Sequence, residues 1–501
     1  MHTRNLFLKL GALLFAFALL SAGAAKADQL YGGIRGIVTD ATGASIPDVT
    51  VTATNTDTGI SKAVNTSSDG SYELLNLLAG NYKVVAVKAN FKTSTVAGIK
   101  VTVNVTYVAN VQLEVGAITQ QVNVEAAAAQ VETTSMQLGG TLESKFIVDM
   151  PLNGRNWIQL QQLQPGVQSA SDRFGTGSAG TNFSTNGGQT QQNSFLINGT
   201  DSNDLPLNTA LVIPSPDAIG EFQLITNTIN PEYGRNSGGI LNAVIKSGTN
   251  HFHGDAFNFY RDTSMNARTF FQPKPTIFHQ NQFGGTLGGP VWKDHTFGFF
   301  SYQGTRASQP SGNGTGTTTV FNAAQRGGTF KTGAGASQVA SNNPAPIPLF
   351  GDSASPCPVT GGVRCAAGTT FKTLFSTGAV PTQDFNTLSS NLVNQFVPLP
   401  TNGNNFSFNP ARSVSADQYI YRLDHTFSQH DSLWFYSFIQ TNPITDSLPF
   451  TGSTLPGFGQ LSTNHIKQYT AAWTHTFNGS TLNEIRFGYT RFNFVAVQPQ
   501  N

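Results

Sequence analysis

From residue 251 onward, seven stretches alternate apolar and polar residues with a period of two: 252–261, 280–290, 295–306, 416–427, 432–441, 465–477 and 481–494. Taken in order, their connections switch between short and long. Residues 291–294, 428–431 and 478–480 are tight turns, whereas 263–279, 307–415 and 442–464 are long loops. A membrane-crossing strand needs about 9–11 residues, and barrels of such strands carry short turns on one side and long loops on the other. A soluble β-sandwich produces the same alternation within each strand, so the sorting of loop lengths is the discriminating feature. Tyr419, Tyr421, Leu423 and Phe427 share one face, opposite Gln418, Arg422, Asp424 and Thr426. Likewise Ile485, Phe487 and Tyr489 oppose Glu484, Arg486 and Thr490. The first set in each strand is expected to face lipid and the second a polar lumen. Trp434 and Trp473 read as part of an aromatic girdle or the lipid face.

Nothing else in the chain is built to cross a bilayer. Residues 1–27 read as a secretory signal peptide, with Arg4 and Lys9 before the apolar stretch 10–20 and an A-x-A cleavage site at Ala25 and Ala27. Eleven apolar residues are too few for a helix that needs about 20. No later stretch approaches 18, so a place in the membrane requires a closed β-barrel. Only 11% of the 501 residues are charged, against roughly 25% in an ordinary soluble domain. With 51 Gly and 37 Phe, the composition argues against a cytosolic enzyme, and 11% aromatics argue against disorder. The formal charge of +1 gives no footprint for nucleic acid.

Residues 28–115 contain strand-like stretches at 34–39, 49–54, 82–87 and 108–115, with turn signals at 40–43, 68–70 and 79–81. That rhythm predicts a small β-sandwich. The strings GGIRGIVTDATGASIPDVTVTATNTDTG and TSSDGSYELLNLLAGNYKVVAV resemble the carboxypeptidase-regulatory-like domain, a transthyretin-like β-sandwich. The resemblance implies a non-catalytic module. A zinc carboxypeptidase needs an H-x-x-E ligand pair, and none of the nine histidines has Glu three residues later.

Residues 117–250 form a second unit. Leu152, Trp157, Leu160 and Leu163 are spaced like one helical face, and a Gly/Ser/Asn-rich stretch follows at 174–192. The ordered series PLNGRNW, FLINGTDSND, AIGEFQLIT and EYGRNSGGILNAVIKSGTN resembles the plug domain of TonB-dependent outer-membrane receptors. By that resemblance Gln120, Gln121, Val122, Asn123, Val124 and Glu125 form a candidate TonB box, an extended periplasmic peptide that adds to the sheet of a TonB-type energy-coupling protein. The competing reading makes the same residues a linker or the first plug strand. The fold class expected is therefore mainly β: signal peptide, transthyretin-like sandwich, α+β plug, and the first strands of a large transmembrane barrel. Plugged transporters have about 22 strands. Seven strands spread over 251–501, ending on VQPQN rather than an aromatic, suggest an N-terminal fragment of a longer receptor.

The chemistry is sparse. The sequence contains neither a G-x-S-x-G elbow nor a G-x-x-x-x-G-K-[ST] phosphate loop. The glycines between Gly284 and Gly289 fall in a barrel strand and read as close packing or bending. His251 and His253 lie on one side of a strand with no third ligand nearby, which favours a solvated interface role over a metal pair. Cys357 and Cys365, within the longest loop, are expected to form a local disulfide in an oxidising compartment. No enzyme activity, cofactor or metal is expected. The leading expectation is a receptor and transporter contacting outer-membrane lipid and energised through the box. Its extracellular substrate would be an oligosaccharide, a peptide or a metal chelate. The rival is a non-transporting surface adhesin or a carbohydrate-binding outer-membrane protein.

Overall fold

The computed structural model describes residues 31–116, 121–125, 137–170, 182–229, 233–268, 270, 275, 277–310, 316–329, 386–403, 405–408, 411–447, 459–478 and 481–498. Three β-rich units follow one another along the chain.

The first unit comprises β1 (Tyr31–Asp40), β2 (Thr50–Asn55), β3 (Ser61–Asn65), β4 (Ser71–Leu78), β5 (Gly80–Val87), β6 (Thr93–Val101), β7 (Thr106–Val108), β8 (Val111–Leu113) and β9 (Gln121–Glu125). In one sheet β1 pairs with β4, β7 and β8; the other runs β3-β2-β5-β6-β9. Ile34, Val38, Val51, Leu74, Val84 and Ile99 meet between the sheets. They come from alternate strand positions, as a two-faced sheet requires. The structure corrects the expected strand at 108–115, which is two short strands. The break falls at Ala109, whose carbonyl accepts the buried Tyr72 hydroxyl at 2.5 Å and whose N–H reaches the Arg35 carbonyl at 2.7 Å. Those bonds turn Ala109 inward, and the ladder along β1 restarts beyond it.

The central unit contains β10 (Leu138–Glu143), β11 (Val167–Ser169), β12 (Phe183–Thr185), β13 (Ser194–Ile197), β14 (Thr200–Asp201), β15 (Ile219–Asn227) and β16 (Ile240–Ile245). Five of these form a sheet in the order β10-β15-β16-β13-β14. All six residues of β16 are buried. The INGTD string is a two-residue hairpin turn: Ile197 pairs with Thr200, and Asn198 and Gly199 have φ of +48° and +67°. That is the type I′ geometry an Asn-Gly pair favours. The single helix face expected over 152–163 is also corrected. The segment is two 3-10 turns, Asn153–Arg155 and Trp157–Leu163, the first bent by positive φ at Gly154 and Arg155. Trp157 and Leu160 are buried, but Leu163 is exposed. Gln164 precedes Pro165 and is held extended, which ends the turn before Leu163 can tuck in.

The third unit has β17 (His253–Asp262), β18 (His279–Trp292), β19 (Thr296–Pro310), β20 (Gly316–Thr319), β21 (Asn405–Phe408), β22 (Ala411–Thr426), β23 (Asp431–Asp446), β24 (Gln460–Asn478) and β25 (Thr481–Val497). Its main sheet has seven antiparallel strands, β17-β18-β19-β22-β23-β24-β25, each beside its neighbour in sequence. All seven expected strands are present. From β19 on they run further at the long-loop end than expected, reaching 19 residues in β24. The longest loop carries structure of its own, an antiparallel β20–β21 pair and the helix Thr387–Phe396.

Side chains alternate as the sequence implied: Tyr419, Tyr421, Leu423 and Phe427 are exposed, while Gln418, Arg422 and Asp424 are buried. Trp434 departs from expectation, being 3% exposed, whereas Trp473 is 42% exposed and faces outward. Trp434, Tyr436 and Phe438 point inward and share one core with Ile197, Phe222 and Ile245 of the central unit. Their inner face meets protein, not water, so apolar residues suit both sides of β23. The glycines of β18 permit close approach, as expected: a Cβ on Gly284 would lie 2.0 Å from the Tyr302 carbonyl oxygen.

Candidate functional site

The chemistry-bearing residues gather where the three units meet, at the end of the barrel that carries the tight turns. Five residues of the box candidate, Gln121 to Glu125, form β9, while Gln120 lies outside the described residues. β9 lies parallel to β6, with Thr93 opposite Gln121, Thr95 opposite Asn123 and Ala97 opposite Glu125. It ends its sheet, so one edge is paired with the sandwich and the other carries no strand among the described residues.

The same β6 leads directly into the contact between sandwich and central unit. Lys100 pairs with Glu143 at 2.6 Å. Val103 is 1% exposed, packed into the central core, and its N–H donates to Glu221 Oε1 at 2.6 Å. Asn104 Nδ2 donates to Gln137 Oε1 at 2.7 Å. Glu221 is buried on β15, and desolvation pushes its carboxyl up to about 7, against the opposing pull of the Val103 hydrogen bond. Beside this contact a cavity of about 580 Å³ opens between the three units, lined among others by Lys62, Lys246, Asp424 and His430. Lys62 Nζ donates to the Leu75 carbonyl at 3.0 Å and to Thr476 Oγ1 at 3.4 Å, and burial pushes its ammonium down to about 8. These groups join one unit to another, with no nucleophile and base arranged against a common point.

Polar side chains of the barrel strands hold the central unit from inside. Arg422 binds the Asp424 carboxylate and donates to the Ile245 carbonyl, and Ser247 Oγ donates to Asp424 Oδ2 at 2.6 Å. Gln418 accepts from the Ser215 N–H at 2.7 Å and donates to the Ile213 carbonyl at 2.9 Å. Gln468 Nε2 donates to the Asp201 carbonyl at 3.1 Å. Arg155 donates to the Asp217 carboxylate, and its guanidinium lies 4.3 and 4.2 Å from the ring centres of Phe257 and Phe259. Arg155 and Glu221 are the residues sequence reasoning missed. The first lies in a segment read as helical, and nothing local signalled the second, because its partner lies 118 positions away.

Of the other expected site residues, His251 and His253 are exposed, and His253 Nδ1 lies 3.1 Å from the His251 carbonyl oxygen. No cluster of three or more His, Cys, Asp or Glu suited to a metal occurs among the described residues. Ala25, Ala27, Cys357 and Cys365 lie outside the described residues.

Residues 244–501, just over half of the chain, match the sequence model of the outer membrane beta barrel domain family. The chain belongs to that family. This outer-membrane barrel chain also matches the carboxypeptidase regulatory-like domain over residues 33–114. It is 30% identical over 319 residues to the TonB-dependent transporter Oar of Myxococcus xanthus, covering 60% of this chain and 29% of that protein. The chain thus spans less than a third of the length of that curated relative. Among solved structures it is similar to the ferric enterobactin receptor PfeA of Pseudomonas aeruginosa (11% identity, TM-score 0.38, 71% of this chain and 41% of that one). It is similar also to the outer membrane transporter YddB of Escherichia coli (10% identity, TM-score 0.39, 69% and 39%). The outer-membrane barrel sets the compartment: its strands lie in the outer membrane.

Proposed function

We propose that this chain is the N-terminal part of a TonB-dependent receptor that moves a scarce or large solute across the outer membrane. The single observation that carries the reading is a folded central unit seated against the inner face of the barrel strands, with a strand-forming peptide held on the sandwich beside it. In this reading 1–27 is the export signal removed after Ala27, 28–115 the sandwich, 117–250 the plug and 251–501 barrel strands. Residues 120–125 are the box that a TonB-type protein engages by strand addition. Substrate binds the loops and plug apices on the outer side, and work done on the box rearranges the plug. The relative Oar supports a transporter over an adhesin or carbohydrate-binding surface protein, and over an enzyme. An oligosaccharide, a peptide and a metal chelate all suit this architecture as substrate.

Backbone hydrogen bonds carry strand addition, so proline, which removes a donor, is the sharpest probe. The test measures binding of the periplasmic domain of the host's TonB-type protein to the purified receptor. Val122→Pro or Val124→Pro should weaken it more than tenfold, and Val122→Ala far less. Undiminished binding by both proline variants refutes the box assignment.

A further inference from the structure

Within the proposed box, Gln121 to Glu125 already form a strand in this structure. Five consecutive residues of β9 lie in parallel register against β6, so one edge of the box is paired within this chain. The holding strand is itself fixed. β6 pairs on its other side with β5, and the residues that follow it are tied to the central unit through Lys100 with Glu143, Val103 with Glu221, and Asn104 with Gln137. A short parallel edge strand makes few hydrogen bonds, and parallel pairing is slightly weaker per residue than antiparallel. It can therefore be exchanged for an equivalent set of bonds to another sheet at little net cost. We propose that the sandwich is a latch for the box: β6 sequesters β9 in the resting receptor, and a TonB-type protein gains the box by strand exchange, stripping β9 from β6. This inference rests on the box assignment above and adds an in-chain competitor to it. It also gives the sandwich a role that needs neither catalysis nor a sugar ligand.

The test uses the full chain with Cys357→Ser and Cys365→Ser, which removes the two native cysteines of these 501 residues, and adds Thr95→Cys with Asn123→Cys at facing positions. Oxidation should form the β6–β9 disulfide in the resting protein. The periplasmic domain of the host's TonB-type protein should then bind the oxidised form at least tenfold more weakly than the reduced form, with each single-cysteine variant binding like the parent. In the unmodified chain, alternate amides between Gln121 and Glu125, those facing β6, should be protected from hydrogen exchange before that domain is added. Equal binding to oxidised and reduced forms overturns the latch, because the partner would then add to the open edge of β9 without displacing it. Exchange of those β6-facing amides at the rate of an unstructured peptide overturns it too. If the domain binds neither form, and Val122→Pro changes nothing, the box assignment has failed and the latch falls with it.

Discussion

The contact between sandwich and central unit should tighten in acid, and Glu221 is the group that makes it do so. Its carboxyl is buried, accepts the Val103 N–H at 2.6 Å, and is pushed up to about 7 chiefly by desolvation. An acid whose proton affinity is higher in the docked state binds more protons docked than undocked, so docking loses free energy as pH rises. The loss begins near the ordinary glutamate value of about 4.3 and levels off above about 7. At about 1.4 kcal/mol per tenfold change in proton affinity, the span amounts to on the order of 3 kcal/mol. The assay is amide exchange at Val103, Asn104 and Val105 in the intact protein, corrected for the intrinsic pH dependence of the chemistry. Protection of these amides should fall by roughly two powers of ten between pH 5 and pH 8. Glu221→Gln keeps an oxygen for Val103 but cannot ionise, so its protection should be nearly independent of pH and equal the parent's value in acid. A flat profile in the parent, or an unchanged slope in Glu221→Gln, refutes the reasoning.

Two further substitutions test how the inner and outer faces of the barrel are used. Arg155→Ala strips the partner from the buried Asp217 carboxylate and removes contacts to two phenylalanine rings. Losing one member of a buried pair costs about 3–5 kcal/mol, so local exchange in β15 and β16 should accelerate more than a hundredfold and Asp217→Asn should recover part of it. Unchanged exchange would show that Arg155 does not hold the central unit in place. Tyr421→Lys puts a charge on the outward face of β22, and at mid-bilayer depth should cost about 2–4 kcal/mol, measured by denaturant unfolding from lipid vesicles. No loss of stability there would place that face away from lipid.

Each part of this architecture was legible only as far as its determinants are local. The barrel strands announce themselves because alternation and tight turns need only neighbouring residues, and the Asn198-Gly199 turn is readable because two residues suffice to demand positive φ. The orientation of β23 was not readable. Its string LWFYSF is apolar on both faces, since one meets lipid and the other the packed interior. The helical reading of 152–163 failed because periodicity cannot register the left-handed backbone at Gly154 and Arg155. The box could be seen as strand-forming, but its partner could not: β6 is interrupted by Gly98 at φ +76° and does not keep a clean alternation. Glu221 owes its unusual proton affinity to burial, which no local string signals.

The strand lengths set how far this barrel stands out of the membrane. About ten residues take a strand across the apolar layer, so the 19 of β24 leave about nine to spare, or roughly 30 Å of ladder at 3.3 Å per residue. The tight turns hold one set of strand ends together, so the surplus stands at the long-loop end. With a strand tilt near 40°, it rises roughly 20 Å above the hydrocarbon boundary. At that end the strands thus form a parapet that stands clear of the headgroups.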